Sequence, residues 1–481
     1  MKQLKPLTVL LVLCVLTTLL SPCAHAAKEP PTVQSATIYL ADPNTGYVYF
    51  ERNSTQRVYP ASLTKIMTAL LIVEAVERGE LSTTDPVTAL TGFDWDMIED
   101  GSSAGILEGE TLTLRDLLAC TLMASANEAA NILAMHLSGS TEAFVEQMNL
   151  RAAELGCRDT YFVNPHGLPN DDHHTTAYDM FLIAREAMTH KLFADLCGSE
   201  LYTVPATNLN EPRVLLNTNG LITQIGKYKD TYYYEPAIGI KTGHTNQAGY
   251  CLVSQAVQGQ VAPICVILGG NPVKLSKTVT GNTAFSDSIA LYQWTFDAFT
   301  PITLLDASTI SAEITVRRSS DGDCLSLRPA QTISGILPKD FDPTQATATV
   351  VLWENSVTAP IAEGQVLGEI TISVDGVVFG QTALVAAQAM ALKPSAAWAD
   401  RWFNPLLLTI LLVFALCAAA AILWLRRCAA REQARQAAEE LRLQQQRRLE
   451  QEERNRLIHG PKHRAQRAAA RQHRPNQEFP R

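Results

Sequence analysis

The segment Ser62 to Arg78 is apolar nearly all the way round a helical wheel. A helix with no polar face cannot lie on a surface, so it has to be the central helix of a large domain, covered on every side. Tyr59-Pro60 opens it, because proline is tolerated in a first helical turn. Lys65, three residues after Ser62, interrupts the apolar run near its start. Side chains at that spacing share one helix face, and the apolar surroundings disfavour a surface lysine.

The elements around this helix read as a mixture. Thr37 to Leu40 and Gly46 to Phe50 read as short strands around Asp42-Pro43-Asn44-Thr45. Thr113 to Met123, Glu128 to Leu137, Asp179 to Thr189 and Phe285 to Phe299 read as helices. Ile238 to Lys241 reads as a strand. Gly249 to Ala256 and Val261 to Leu268 read as a hairpin around Gln258-Gly259. The expected class is α+β, helices packed with an antiparallel sheet. From residue 301 to 390 the pattern becomes all-β, with Asp375-Gly376 as a hairpin signal between Ile370–Val374 and Gly376–Phe379.

The two ends differ from the middle. Lys2 and Lys5, the apolar run Leu7 to Leu20 and Ala24-His25-Ala26 form a secretory signal over residues 1–26. A lipoprotein with Cys23 lipidated fits badly after Pro22, and an uncleaved anchor fits badly with so short a run. Residues 391–404 read as a connector. Pro405 to Leu425 is uncharged and about long enough to cross a bilayer. From Arg426 onward the tail carries 15 Lys/Arg against 7 Asp/Glu, whereas 27–404 carries 22 against 41. Basic flanks stay cytoplasmic, so the expected topology is a single-pass bacterial cell membrane protein with the acidic region outside and 426–481 inside. Glu432 to Leu457 reads as a solvated charged helix. The acidic exported region excludes nucleic acid as a partner.

Six cysteines lie in the exported region: Cys120, Cys157, Cys197, Cys251, Cys265 and Cys324. Their spacing contains no zinc pattern, and no metal or other cofactor is expected. They read mainly as buried thiols, with Cys251 and Cys265 as the one pair that could face each other across a hairpin.

Three short motifs carry the chemistry. Ser62-Leu63-Thr64-Lys65 is an S-x-x-K: a serine hydroxyl needs a base, and a buried lysine near other cations loses its proton readily enough to be one. Ser125-Ala126-Asn127, an S-x-N at the joint of two helices, supplies a hydroxyl that can relay a proton and an amide that can hold Lys65 or a substrate amide. Taken alone it is an ordinary helix-connecting turn. In Lys241-Thr242-Gly243, the lysine offers positive charge to a carboxylate, and the glycine lets a substrate backbone lie against the strand edge. Taken alone, Lys241 reads as an edge-strand lysine.

Together the three motifs resemble the penicillin-recognising serine hydrolases, the β-lactamase-like fold. Gly101-Ser102-Ser103, Asn164-Pro165-His166-Gly167-Leu168 and Lys241-Thr242-Gly243-His244-Thr245 resemble the low-molecular-mass D-alanyl-D-alanine carboxypeptidases. Pro360-Ile361-Ala362-Glu363-Gly364-Gln365 and Val366-Leu367-Gly368 resemble that family's C-terminal β-domain. The resemblance covers roughly Thr37 to Met390. It implies a catalytic domain over 27–300 and a β-domain over 301–390. It implies Ser62 as the acylated nucleophile, Lys65 as its base, and Ser125 and Asn127 as the relay. Lys241, Thr242, Gly243 and His244 are implied at the substrate, with the oxyanion hole at the N–H groups of Ser62 and His244. The implied reaction removes the terminal D-alanine from the peptidoglycan pentapeptide stem, limiting cross-linking, with β-lactams as covalent inhibitors.

Two positions depart from the family pattern. Ala126 stands where glycine is usual, and Thr218 stands where some relatives have arginine, so no carboxylate-binding arginine is assigned. Two other readings share the fold. A β-lactamase needs a deacylating glutamate, and Glu211-Pro212 lies too far after Ser125 to supply one. A β-lactam sensor would signal through the span, but no signalling domain follows Arg426.

Overall fold

The computed structural model describes residues 28–94, 101–226, 228 and 230–458. The expected secretory signal and the end of the basic tail lie outside the described residues. The chain forms two compact units, one of 28–315 with 324–357 and 362–389, the other of 316–323 with 358–361 and 390–458.

The first unit is organised by the apolar helix α1 (Thr64–Glu77), which a 3-10 turn, Ala61–Leu63, leads into. Eleven of its fourteen residues are buried, so the absence of a polar face in the sequence becomes burial on all sides. Around it lie α2 (Leu114–Leu122), α3 (Asn127–Ser138), α4 (Thr141–Glu154), α5 (Ala177–Ala187) and α6 (Lys191–Cys197). Thr113 caps α2 with a reciprocal bond to Asp116, and Gly139, in the left-handed region, ends α3.

The central sheet is antiparallel. Its strands are β1 (Thr37–Ala41), β2 (Val48–Arg52), β7 (Ala237–Thr245), β8 (Gly249–Ala256) and β9 (Ile264–Gly270), in the order β2-β1-β9-β8-β7. Between β2 and β7 the chain forms the small pairs β3 (Pro86–Thr88) with β4 (Thr111–Thr113) and β5 (Leu201–Val204) with β6 (Arg213–Leu216). Alternation sorts the sheet's side chains into two cores. Tyr39, Ala41, Val253, Val266 and Leu268 face the helices around α1. Ile38, Leu40, Leu252 and Ile267 face α7 (Thr283–Ala298) through Phe285, Leu291 and Tyr292. A third short pair, β10 (Pro272–Lys274) and β11 (Thr280–Asn282), precedes α7.

A β-rich region follows. β12 (Phe299–Leu305) pairs with β15 (Ile333–Pro338). In a second sheet β16 (Thr347–Leu352), β18 (Val366–Val374), β19 (Val377–Ala386), β14 (Cys324–Pro329) and β13 (Ala312–Arg317) lie side by side in that order, and the short strand β17 (Ser356–Thr358) comes between β16 and β18 in the chain. Asp375 and Gly376, both at positive φ, make the tight turn between β18 and β19, as the Asp-Gly signal requires. A Cβ at Gly335 would lie 2.2 Å from Phe379, so that glycine lets the ring pack on β15.

The second unit contains α8 (Pro394–Ile458), a single helix of 65 residues. Its stretch Leu408–Ala429, 22 residues, is long and apolar enough to cross a membrane and is exposed. The helix begins at Pro394, so most of the expected connector is helical.

The cysteine expectation needs correction. Cys251 and Cys265 are not opposite each other, because Cys265 pairs with Ser254 and a register shift separates Tyr250 from Leu252. The two thiols belong to different cores, on opposite faces of the sheet, and both are free. Cys120 and Cys197 are also buried, whereas Cys157 is half-buried and Cys324 exposed.

Candidate active site

The site forms where β7, the sheet's edge strand, meets the turn that starts α1. Ser62 is the middle residue of that turn. Ala61 before it has φ +49, a conformation that side-chain-bearing residues seldom adopt. Two glycines make room for this turn. A Cβ at Gly243 would lie 3.1 Å from the Ser62 nitrogen and 3.2 Å from Ala61 Cβ. One at Gly167 would lie 1.9 Å from the Ala61 carbonyl oxygen. Gly243 therefore lets β7 approach the backbone of Ser62, a packing role that the sequence, read for substrate clearance, did not reveal.

Lys65 is fully buried. Its Nζ lies 3.0 Å from Ser62 Oγ and donates to Asn127 Oδ1 at 2.7 Å and to the His166 carbonyl at 2.7 Å. Two of these partners only accept, while the serine hydroxyl can also donate. A neutral lysine fits that set: two N–H groups to the two acceptors, and the lone pair to the Ser62 hydroxyl. Burial holds the Lys65 pKa well below its ordinary value, the charge of Lys241 adds to the effect, and Glu128 opposes it.

Ser125 joins α2 to α3 at φ +61, again left-handed. The turn is pinned on both sides, by Ala126 N–H to the Cys120 carbonyl at 3.0 Å and Asn127 N–H to the Ser102 carbonyl at 2.9 Å. Buried Glu128 accepts from Ser103 Oγ at 2.7 Å and Ala104 N–H at 2.6 Å, which fixes the segment carrying Ser102.

On β7, Lys241 is buried, and its Nζ donates to the Thr242 carbonyl at 3.0 Å. Burial alone pushes its pKa down to about 7. It is thus no surface edge-strand lysine. Thr242 Oγ1 lies 2.7 Å from Thr218 Oγ1, so the residue standing where some relatives carry arginine bonds directly to the motif threonine. The exposed His244 ring sits over Tyr250, with centroids 4.2 Å apart, and its partial burial lowers its pKa.

These parts open on one cleft of about 520 Å³. Ser62, Ser102, Ser125, Thr218, Thr242, Gly243 and His244 line its polar part, and Leu216, Ile225, Tyr228 and Phe285 add an apolar part. Of the eight residues expected at the site, five therefore line the cleft. Lys65 and Asn127 are bonded behind Ser62, and Lys241 is buried and does not line the cleft. The sequence reading missed the His166 carbonyl as a lysine partner and Glu128 as a support. Glu211 is exposed and does not line the cleft. Among the described residues, Glu74, Glu186 and His190 lie close enough to share a metal ion, but Arg151 already bridges both glutamates.

The chain resembles known proteins over most of its length. Residues 24–272 match the family model for D-alanyl-D-alanine carboxypeptidase, and residues 299–391 match that for the C-terminal domain of penicillin-binding protein 5. The D-alanyl-D-alanine carboxypeptidase DacF of Bacillus subtilis is 31% identical over 77% of this chain and 87% of its own length. DacA of Escherichia coli is 32% identical over 74% of this chain and 84% of its own. Among solved structures, penicillin binding protein 5 from Haemophilus influenzae superposes with a TM-score of 0.58 at 28% identity, covering 76% of this chain and 99% of that one. The fold is that of the penicillin-recognising enzymes, and the buried lysine beside a cleft serine suits acyl transfer. The chain belongs to the D-alanyl-D-alanine carboxypeptidase family of serine peptidases.

Proposed function

We propose that this chain removes the terminal D-alanine from the pentapeptide stem of peptidoglycan, with Ser62 as the acylated residue and Lys65 as its base. The observation that carries the reading is the buried Lys65 Nζ, 3.0 Å from Ser62 Oγ and held from behind by two acceptors. Lys65 takes the hydroxyl proton as Ser62 Oγ bonds to the carbonyl carbon of the penultimate D-alanine. The oxyanion is met by the N–H groups of Ser62 and His244; one such donor is commonly worth about 3–4 kcal/mol of transition-state stabilisation. The C–N bond then breaks, and Ser125 hands the proton from Lys65 to the departing amine. Water repeats the cycle on the ester and frees Ser62. Thr242 and Thr218 receive the substrate's terminal carboxylate, and Lys241 adds positive charge from beneath. A β-lactam enters by the same attack, which opens its ring and leaves a penicilloyl ester.

The two family matches support a catalytic domain over 27–300 and a β-domain over 301–390. The apolar stretch of α8 supports a single membrane anchor over about 405–425. The basic flank after it supports a topology with 426–481 in the cytoplasm and the catalytic region outside.

The test is D-alanine release from N-acyl-Lys-D-Ala-D-Ala, run beside labelling with a fluorescent penicillin. Ser62→Ala should lose both. Labelling that persists in this variant would remove Ser62 from the mechanism.

A further inference from the structure

We propose that His173 and Thr64 form a positioning relay that aims the backbone N–H of Ser62 into the cleft. The proposal rests on the proposed reaction at Ser62, in which that N–H is an oxyanion donor.

His173 is buried, 1% exposed, beside the turn that carries the nucleophile. The Val163 N–H donates to its Nδ1 at 3.4 Å. A ring nitrogen that accepts carries no proton, so in the neutral ring the hydrogen is on Nε2. Nε2 lies 2.9 Å from Thr64 Oγ1 and therefore donates to it. That leaves the hydroxyl proton of Thr64 to go to the Ala61 carbonyl, 2.9 Å away. The bonds thus run in one direction: Val163 N–H to His173, His173 to Thr64, Thr64 to Ala61 O.

The end of that chain matters because of peptide geometry. The Ala61 carbonyl and the Ser62 N–H belong to one planar unit and point in opposite directions. Holding the oxygen fixes where the hydrogen points. The plane needs holding, because Ala61 is at φ +49, where a residue with a side chain is strained. Gly167, whose missing Cβ would collide with the same oxygen, lets the neighbouring chain close over it. Burial, with smaller electrostatic contributions from His166, His174 and Lys65, pushes the His173 pKa down to about 3. The ring therefore stays neutral over any working pH, and the direction of the relay is constant.

The simpler alternative is that Thr64 merely bonds back to the third preceding carbonyl at a helix start. Kinetics of the full-length protein in detergent separate the two. Thr64→Val replaces the hydroxyl by a methyl of the same shape and should lower kcat for D-alanine release about 100-fold, as loss of one oxyanion donor does. KM should stay within about twofold, and the acid limb of the pH profile should not move, because Lys65 keeps its partners. His173→Leu should lose about tenfold. Thr64→Ser and His173→Gln, which keep a donor, should stay within about threefold of the parent. Parent-like turnover in Thr64→Val overturns the relay, and so does a loss accompanied by a shifted acid limb, which would place the effect at Lys65. Should Thr64→Val lose its cooperative thermal melt, the His173 pair decides: equal loss in the Leu and Gln variants overturns the relay. The underlying reading fails separately, by D-alanine release from Ser62→Ala.

Discussion

Placing a methyl group on Gly243 is a direct test of how the site is assembled. In Gly243→Ala the new Cβ starts 3.1 Å from the Ser62 nitrogen and 3.2 Å from both Ala61 Cβ and the Pro60 carbonyl, where ordinary contacts begin near 3.4 Å. All three neighbours belong to the turn that carries Ser62, so β7 and that turn must part by about 0.3 Å. Overpacking costs about 1–3 kcal/mol, and an overlap this small belongs at the low end. A misplacement of 1 Å costs about 100-fold in rate; scaled logarithmically, the shift should slow acylation about fourfold. Stopped-flow acylation by a fluorescent penicillin gives the rate, and urea unfolding gives the stability. The loss should be equal for small and bulky substrates, because what moves is Ser62. Unchanged acylation and unchanged unfolding would refute the packing argument. A loss that grows with substrate size would return Gly243 to the clearance role its sequence context suggests.

Other outcomes follow from the same geometry. kcat/KM should be bell-shaped in pH: it rises as Lys65, held below its ordinary pKa, loses its proton, and falls as Lys241 loses its charge near pH 7. Because a bound carboxylate holds that charge in place, the alkaline limb of kcat should lie at higher pH, and coincident limbs would remove Lys241 from substrate binding. Lys65→Arg should fold, by circular dichroism, yet fail to acylate, since arginine cannot give up its proton; normal labelling would end the base role. Protease added outside intact, wall-stripped cells should digest the catalytic region and spare a tag after Arg481, and loss of the tag from sealed cells would reverse the orientation.

Much of the fold was legible where burial is extreme. α1 announces itself because its apolar residues go round every face of the helix, and the turn at Asp375-Gly376 because few other pairs tolerate two positive φ angles. Helix α4 was not read, since its inward face is only Thr141, Phe144, Met148 and Ala152 among charged neighbours. The β5–β6 pair hides for the opposite reason: Leu201, Val214 and Leu216 are exposed while only Val204 and Leu215 reach the core, so its apolar residues show no clear alternation. At the site, the motif side chains were legible and their supports were not. A backbone carbonyl such as that of His166 leaves no residue signature, and neither does the depth at which Lys241 lies. Thr64 sits inside the S-x-x-K, at a position the motif leaves free.

The two left-handed residues beside the cleft, Ala61 and Ser125, set stability against chemistry in different ways. Each gives up about 1–2 kcal/mol to its backbone conformation. Glycine would relieve that strain and return about 0.4–1 kcal/mol to the unfolded chain, leaving a small net gain. At Ser125 the gain comes with loss of the hydroxyl. At Ala61 no reacting group is lost, but the peptide unit that carries the Ser62 N–H becomes freer to turn. A library of this protein selected for heat resistance alone should therefore accumulate glycine at both positions. The survivors would be sturdier folds with poorer turnover, and the losses would trace to two residues far apart in the chain.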